Sequence, residues 1–287
     1  MSPQRPDSPV IIYGPGSLLR EPRRLFRDMK RDLVASRELA WRLFVRNTSA
    51  KYRQTMLGYA WAFLPPVFTT LVFVFLRENG FFNISETRVP YAVFLLAGIV
   101  LWETFADALN SPIRMVAQST SMLTKVNFPR EALILAGIGE VLFSFLIRLS
   151  LLAIVIAWFG IRVPWTAIFF PFGALALVVL GIALGTLLTP IAILYHDIGQ
   201  GLPFLVVLWM FLTPVVYPPP REWLGSPIMV LNPVSPVLDT ARAWLFTGSP
   251  EYLLGFLAVS LVAGLALLLG WLLYRVALPI LIERMSA

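Results

Sequence analysis

Long stretches of this sequence carry no charged side chain, and this feature constrains the fold more than any other. The segment from Leu57 to Leu76 is uncharged, and so is the run from Trp165 to Tyr195. A helix rises about 1.5 Å per residue, so about 20 such residues cross the ~30 Å hydrocarbon core of a bilayer. Of the 287 residues, 58% are apolar and only 14% are charged, which is too apolar a mixture for a soluble fold of this length. We therefore predict an all-α integral membrane protein.

The apolar segments predict six transmembrane helices within a domain of residues 57–277. Their expected bounds are 57–76, 91–110, 132–159, 165–188, 201–217 and 252–274. Six crossings place both termini on one side of the membrane. Twelve Lys and Arg precede the first span, three lie in segment 111–131 and two follow the last span, whereas five lie on the opposite side. The positive-inside rule then places both termini in the cytoplasm, with 278–287 as a cytoplasmic tail.

The N-terminal segment holds much of the net charge of +7. Residues 1–22 are rich in proline and are predicted to be a mobile lead without the apolar core of a signal peptide. In residues 23–56, Leu39 and Leu43 are four residues apart, as are charged residues on another face. This pattern predicts an amphipathic helix in the cytoplasmic interface with its apolar face on the lipid, although a plain membrane anchor would show it too. Basic residues beside a span indicate contact with lipid headgroups or with a cytoplasmic partner. They give no reason to expect nucleic-acid binding.

Two further segments are too long for tight turns. The cytoplasmic segment 111–131 has an apolar stripe that includes Met122 and Leu123, which suits a short helix, and an ordinary connector is the alternative. The external segment 218–251 is rich in proline and still apolar. We expect short half-inserted helices there, because irregular backbone at membrane depth must be buried in protein; a loop lying on the lipid headgroups is the alternative.

Four ionisable residues lie inside the predicted spans: Glu103, Asp107, Glu140 and Arg148. Counting from the predicted span ends places Glu140 at the depth of the first two carboxylates, and Arg148 about 12 Å further out. The carboxylates cluster near one membrane face instead of stacking along the membrane normal. This placement favours structural pairing, or a position at the hydrated end of the span, over a proton relay.

The sequence lacks the motifs of several enzyme and metal sites. No glycine is followed by lysine, so the phosphate-binding motif G-x-x-x-x-G-K-S/T is absent. With no cysteine and a single histidine, His196, a metal site is not expected. We predict no catalytic residue and no bound cofactor. Any work against a gradient would then need energy from a partner or from an ion gradient.

Four short segments resemble the permeases of ABC exporters for O-antigen, capsular polysaccharide and teichoic acid. They are Lys51–Pro66 at the first span, Val126–Glu131 before the third, Phe211–Pro218 at the end of the fifth, and Leu231–Pro233 beyond it. Their order and spacing match the family pattern, and the resemblance covers about residues 23–285.

The resemblance implies a permease that lacks its own ATPase and works as a homodimer with two ATPase subunits, which would bind the ATP and Mg²⁺. It implies export of a polyprenyl-pyrophosphate-linked polysaccharide across the bacterial inner membrane, along a path between the two permeases. The residues expected to contact the ATPase are Arg42, Met122, Leu123, Lys125, Asn127, Phe128 and Arg130. The residues expected to meet the pyrophosphate are Arg46, Lys51, Arg53, Leu57 and Gly58. The aromatic residues expected along the glycan path are Tyr59, Trp61, Phe63, Trp209, Phe211 and Tyr217.

Other interpretations of these residues stay open. The cations before the first span could contact lipid headgroups, and the aromatic residues could form interface belts. A permease of the same fold could export a drug or a lipid. An ion-coupled transporter would use Glu103 and Asp107 to carry protons.

Overall fold

The computed structural model describes residues 22–53, 55–56, 58–81, 87–125, 128–219 and 231–286, most of which are helical. The α-helices are α1 (Pro22–Arg53), α2 (Leu64–Glu78), α3 (Tyr91–Gln118), α4 (Thr120–Lys125), α5 (Glu131–Trp158), α6 (Phe170–Leu194), α7 (His196–Leu212), α8 (Val234–Phe246) and α9 (Leu253–Ser286). Two 3-10 helices, Gly58–Ala62 and Trp165–Phe169, precede α2 and α6. The predicted lead before Pro22 lies outside the described residues.

Among the described residues, four helices are long and apolar enough to cross a membrane: α3, α5, α9, and α6 together with the 3-10 helix before it. This composition fits the predicted all-α membrane protein. The apolar helix α7 is shorter, with 17 residues. At 15 residues, α2 is about 22 Å long, less than the thickness of the hydrocarbon core.

Prolines explain why the first and fourth predicted spans begin with a 3-10 helix. Pro65 and Pro66 lie in the first turn of α2, and Pro171 lies in the first turn of α6. Proline has no backbone N–H, so it costs no intrahelical hydrogen bond in the first turn of an α-helix, whereas an interior proline costs one. Each α-helix therefore starts at its proline, five to seven residues after the predicted start of the span.

The other bounds also differ from the hydropathy pattern. The fifth predicted span, 201–217, corresponds to α7, which ends at Leu212 because Thr213 precedes Pro214 and has an extended backbone with ψ 140°. The predicted second span ends at residue 110, whereas α3 continues through Pro112 to Gln118. The last helix, α9, runs into the predicted tail as far as Ser286.

The centre of the bundle is the contact between α3 and α6, which are the most buried of the long helices. Gly181 and Gly185 of α6 form a G-x-x-x-G pair against the backbone of α3. A Cβ atom on Gly181 would lie 2.8 Å from the carbonyl oxygen of Phe105. Small residues at this spacing allow two helix backbones to approach closely in a membrane.

The bundle has two ends that differ in composition. At one end, called the α1 end, a shared apolar cluster joins α1, α3, α4, α5 and the last part of α9. Its buried members are Ala40, Leu43, Met115, Val116, Leu123, Ala132, Leu133, Ala136, Tyr274 and Leu278. Helix α8 packs at the opposite end against the starts of α3, α6 and α9, with Val237, Leu238 and Ala241 buried.

The amphipathic helix predicted over residues 23–56 is α1. Its apolar face, including Ala40 and Leu43, packs against the bundle, chiefly against α5. The sequence predicted that this face would lie on lipid, because periodicity cannot distinguish a lipid surface from a helix surface.

Candidate functional site

The charged residues predicted inside the spans form ion pairs between α3 and α5. Arg148 of α5 lies between two carboxylates of α3: its Nε is 2.9 Å from Glu103 Oε2, and its Nη2 is 2.7 Å from Asp107 Oδ2. Glu103 and Asp107 are four residues apart and therefore point from one face of the helix. Pairing reduces the cost of holding charge at membrane depth. The structural pairing favoured from the sequence is present.

The expected depth of these residues was wrong, and the length of α3 explains the error. Counting from the predicted span ends placed Glu140 beside Glu103 and Asp107. The structure places Arg148 there, eight residues further along α5. Helix α3 also continues eight residues past its predicted end, from 110 to Gln118. Eight helical residues span about 12 Å. The eight additional residues of α3 therefore shift its register against α5 by the distance that separates Glu140 from Arg148.

Glu140 belongs to a second polar group that also includes α1. Its Oε2 lies 3.3 Å from Arg114 Nη2 of α3, and its Oε1 accepts a 2.9 Å hydrogen bond from Asn47 Nδ2 of α1. The sequence analysis missed Arg114 and Asn47 as partners. Arg114 follows Pro112, beyond the predicted end of the span, so nothing in the hydropathy pattern placed it on the same helix as Asp107.

A small pocket lies between α1, α3 and α5 beside these ion pairs. Its lining comprises Thr48, Lys51, Tyr52, Asp107, Arg114, Glu140, Val141, Phe143 and Ser144. Among the described residues, buried Thr48 Oγ1 and Arg148 Nη1 have no hydrogen-bond partner. We call this group, together with Glu103 and Arg148, the polar seam. Three cations and three carboxylates lie along it, so the seam can contact a polar or zwitterionic group without excess charge of either sign.

The residues expected to meet a pyrophosphate lie at and just beyond the end of α1. Lys51 lines the pocket and lies over the ring of Tyr52, 5.5 Å from its centroid. Arg53 is exposed, and exposed Arg46 donates hydrogen bonds to the neighbouring Asn47. Gly58, with a φ of +51°, begins the 3-10 helix after α1, at a backbone angle that favours glycine. Leu57 lies outside the described residues.

The two segments expected to contact an ATPase lie together at the α1 end. Exposed Arg42 pairs with Glu38 on the outer face of α1. Leu123 of α4 is buried in the cluster that also holds Leu43 of α1, and Met122 and Phe128 pack against that cluster. Lys125 is exposed, and the carbonyl of Arg130 accepts a 3.4 Å hydrogen bond from Tyr274. Asn127 lies outside the described residues.

The aromatic candidates divide into exposed and structural side chains. Tyr59 and Trp61 are exposed on the 3-10 helix, Phe63 is half-buried beside them, and Phe211 is exposed on α7. The Tyr217 hydroxyl donates to the carbonyl of Phe211 at 3.0 Å. These positions border exposed apolar faces of α2 and α7, which meet where the rings of Phe73 and Phe211 are 6.4 Å apart.

Trp209 has a structural environment. Its ring packs edge-on against Phe105 of α3, with centroids 5.2 Å apart, and its Nε1 donates to Asn232 Oδ1 at 3.1 Å. Asn232 Nδ2 also donates to Thr213 Oγ1 at 2.8 Å. Two of the sequence motifs, Phe211–Pro218 and Leu231–Pro233, are therefore in direct contact.

A buried arginine stabilises the same region, in which the chain that follows α7 contacts α3 and α8. The sequence analysis counted this arginine only as an external charge. Arg242 of α8 donates from Nη2 to the carbonyl of Val215 at 3.0 Å and lies 3.9 Å from the ring centroid of Phe94. Gly98 of α3 packs closely against this guanidinium. The contacts fix the irregular chain after α7 to α3 and α8.

Comparisons with known proteins agree with the resemblance found in the sequence. Residues 38–246 match the protein family described as ABC-2 type transporter. The chain is 28% identical over 239 residues to the O-antigen export system permease protein RfbA of Myxococcus xanthus, covering 81% of this chain and 90% of that protein. It is 21% identical over 214 residues to the protein of the same name in Klebsiella pneumoniae, covering 72% and 80%. The polysialic acid transport protein KpsM of Escherichia coli is 22% identical over 251 residues, covering 78% and 90%.

Proposed function

The chain belongs to the ABC-2 type transporter family, and from this premise we propose that it is the permease subunit of an ATP-driven exporter of polysaccharide. The observation that carries the proposal is the match, over most of both chains, to two permeases named for O-antigen export. The cargo we propose is an O-antigen-like glycan on a polyprenyl pyrophosphate. It would move from the cytoplasmic to the external side of a bacterial inner membrane.

The proposed topology has six crossings with both termini in the cytoplasm. Helix α1 and the last part of α9 lie at the same end of the bundle, which supports termini on one side. The 3-10 helix from Gly58 to Ala62 lengthens the first crossing, because α2 alone is too short. The distribution of Lys and Arg favours the α1 end as the cytoplasmic one.

ATP would be hydrolysed by a separate subunit, because this sequence has no phosphate-binding loop of its own. We propose that two ATPase subunits contact a permease dimer through α1 and α4. The two helices share one apolar cluster at the α1 end, while Arg42 and Lys125 point outward from them. Closure of the ATPases would then move one connected surface.

The pyrophosphate would bind where α1 ends and the 3-10 helix begins. Lys51 and Arg53 are exposed there, and charge-assisted hydrogen bonds from ammonium and guanidinium groups suit phosphate oxygens. The neighbouring polar seam reaches membrane depth at Asp107 and Arg148, so it offers polar surface beside an anionic headgroup.

The glycan would pass between two copies of the chain along α2 and α7. Both helices expose wide apolar faces, with Phe68 and Phe75 on α2 and Phe204 and Phe211 on α7. In a dimer such faces could pair across a path. Sugar rings have apolar faces that stack well on aromatic side chains, and exposed Trp61 would provide one such surface near its cytoplasmic end.

Deletion of the gene in its own host tests the proposal. Surface polysaccharide should disappear while lipid-linked glycan accumulates on the cytoplasmic side, and the wild-type gene should restore export. A deletion strain with normal surface polysaccharide and lost export of a drug or lipid would instead identify the other kind of ABC permease. Restoration by a Glu103→Gln/Asp107→Asn variant would exclude proton transport through those carboxylates.

A further inference from the structure

Arg275 connects three helices at the α1 end. Its Nη2 lies 2.6 Å from Asp32 Oδ2 of α1, and its Nη1 lies 3.1 Å from Glu131 Oε1 of α5. The side chain belongs to α9 and is 10% exposed, while those of Asp32 and Glu131 are 19% and 7% exposed. The planar guanidinium reaches both carboxylates at once, a geometry that a lysine ammonium does not provide. We call Asp32, Glu131 and Arg275 the three-helix clamp.

The clamp holds α1 at a point far from its covalent connection to the bundle. Asp32 lies 21 residues before Arg53, which is about 32 Å along the helix. The other polar attachment of α1 to α5, through Asn47 and Glu140, is about 22 Å from Asp32. Between these attachments α1 makes apolar contacts through residues such as Leu43. Apolar contacts are not directional, whereas the clamp fixes one register.

We infer that Arg275 is a positioning residue that transmits movement of α1 to α5 and α9. The inference rests on the proposed function, in which an ATPase contacts α1 and α4. Helix α5 begins at Glu131, six residues after the end of α4, so the clamp joins both proposed contact surfaces. A load on α1 then passes to α5 and α9 through the clamp as well, and without the clamp it passes only through the apolar cluster and the hydrogen bond from Asn47 to Glu140. Asp32 and Arg275 both lie outside the residues matched to the family, 38–246.

Loss of the clamp leaves a chain that can still fold. Exposed Arg31 also lies near Asp32, with its Nε 3.6 Å from Oδ1. Glu131 is the first residue of α5, where the positive end of the helix dipole favours a carboxylate. In an Arg275→Gln variant, Arg31 therefore still balances the charge of Asp32 in part, and the helix dipole still balances that of Glu131 in part.

The test compares Arg275→Gln with Arg162→Gln in the complete complex with its ATPase. Arg162 is the matched control, because its side chain is exposed in the segment after α5, at the end of the bundle opposite to the clamp. ATP hydrolysis and export of radiolabelled polyprenyl-pyrophosphate-linked glycan are measured in inverted membrane vesicles. Arg275→Gln should bind the ATPase and hydrolyse ATP but export roughly fivefold less glycan per ATP, the lower end of usual coupling strengths. Arg162→Gln should match the wild type.

A rescue experiment separates transmission from simple stability. The chain has no cysteine, so an Asp32→Cys/Arg275→Cys variant offers two unique thiols. A short bis-maleimide cross-linker should restore glycan export per ATP, and the variant without cross-linker should resemble Arg275→Gln. An Arg275→Lys variant keeps the charge but loses the planar guanidinium that reaches both carboxylates. Its ratio of exported glycan per ATP should lie between those of the wild type and Arg275→Gln.

Wild-type export per ATP in Arg275→Gln, or no rescue by the cross-linker, would overturn the inference while leaving the proposed function intact. A wild-type chain that binds no ATPase would instead contradict the proposed function, and the inference with it. If Arg275→Gln is too unstable to assemble, Arg275→Lys replaces it in the assay. A ratio of exported glycan per ATP equal to that of the wild type in Arg275→Lys would also overturn the role of the guanidinium.

Discussion

Replacing Gly181 by alanine tests the close contact between α3 and α6. A Cβ atom at this position would lie 2.6 Å from Ala108 Cβ, 2.8 Å from the Phe105 carbonyl oxygen and 2.9 Å from the Leu109 nitrogen. Two of these three atoms belong to the backbone of α3, which is buried on nearly all sides. They cannot rotate away as a flexible side chain would, so the two helices must separate.

The size of the effect follows from comparison with Gly264 of α9. A Cβ there would meet no heavy atom within 4 Å. Both substitutions gain the helix propensity of alanine, about 1 kcal/mol in water, and this gain cancels in the difference between them. The remaining difference is the overpacking at Gly181, about 1–3 kcal/mol. Gly181→Ala should therefore be less stable than Gly264→Ala by this amount.

Reversible unfolding of the two variants in detergent measures this difference directly. Gly264→Ala should be as stable as the wild type or slightly more stable. Free energies of unfolding that agree within about 0.5 kcal/mol would refute the close contact, since substitutions away from such contacts usually stay within that range.

Three further predictions concern the charged and aromatic residues. Arg148→Gln leaves two carboxylates, Glu103 among them, without their shared cation, and should lower the free energy of unfolding by on the order of 3 kcal/mol; a loss below about 1 kcal/mol would contradict the pairing. Asn232→Ala leaves the Trp209 N–H without its acceptor and should cost about 2 kcal/mol, visible as a lower unfolding temperature and altered tryptophan fluorescence; unchanged values would argue against this contact. Trp61→Ala should reduce glycan export without affecting assembly, and equal export by Trp61→Ala and the exposed control Trp158→Ala would refute stacking at this position.

The sequence predicted the elements of the fold well where apolar periodicity determines them. It placed an amphipathic helix over 23–56, and α1 covers Pro22–Arg53. It placed the third span over 132–159, and α5 covers Glu131–Trp158. Prolines set the bounds that hydropathy could not: those at the start of α2 delay the helix, and Pro214 ends α7.

The partners of the charged residues could not be predicted, because they depend on how far a helix continues past the apolar segment. Pro112 and the polar residues around it marked the predicted end of the second span, yet α3 continues to Gln118. This extra length decides that Arg148, and not Glu140, lies beside Asp107. Hydropathy locates the membrane boundary, whereas the end of a helix depends on packing and capping.

Contacts between residues distant in sequence were also beyond prediction. Arg275 and Asp32 are 243 residues apart, the first directly after the last predicted span and the second in the predicted interface helix. Asn232 was recognised within a motif, but its partners Trp209 and Thr213 follow only from the fold. Of the aromatic residues expected along the glycan path, Trp209 has a structural role in packing and hydrogen bonding that residue type alone did not indicate.

Transport by the purified complex tests the central claim most directly. The chain and its ATPase would be reconstituted into sealed liposomes, with radiolabelled polyprenyl-pyrophosphate-linked glycan in the leaflet that faces the ATPase. We predict that ATP makes the glycan inaccessible to an added glycosidase, and that neither a non-hydrolysable ATP analogue nor a proton gradient alone does so. Movement of the glycan driven by a proton gradient without ATP, or ATP hydrolysis that leaves the glycan fully accessible, would contradict the account.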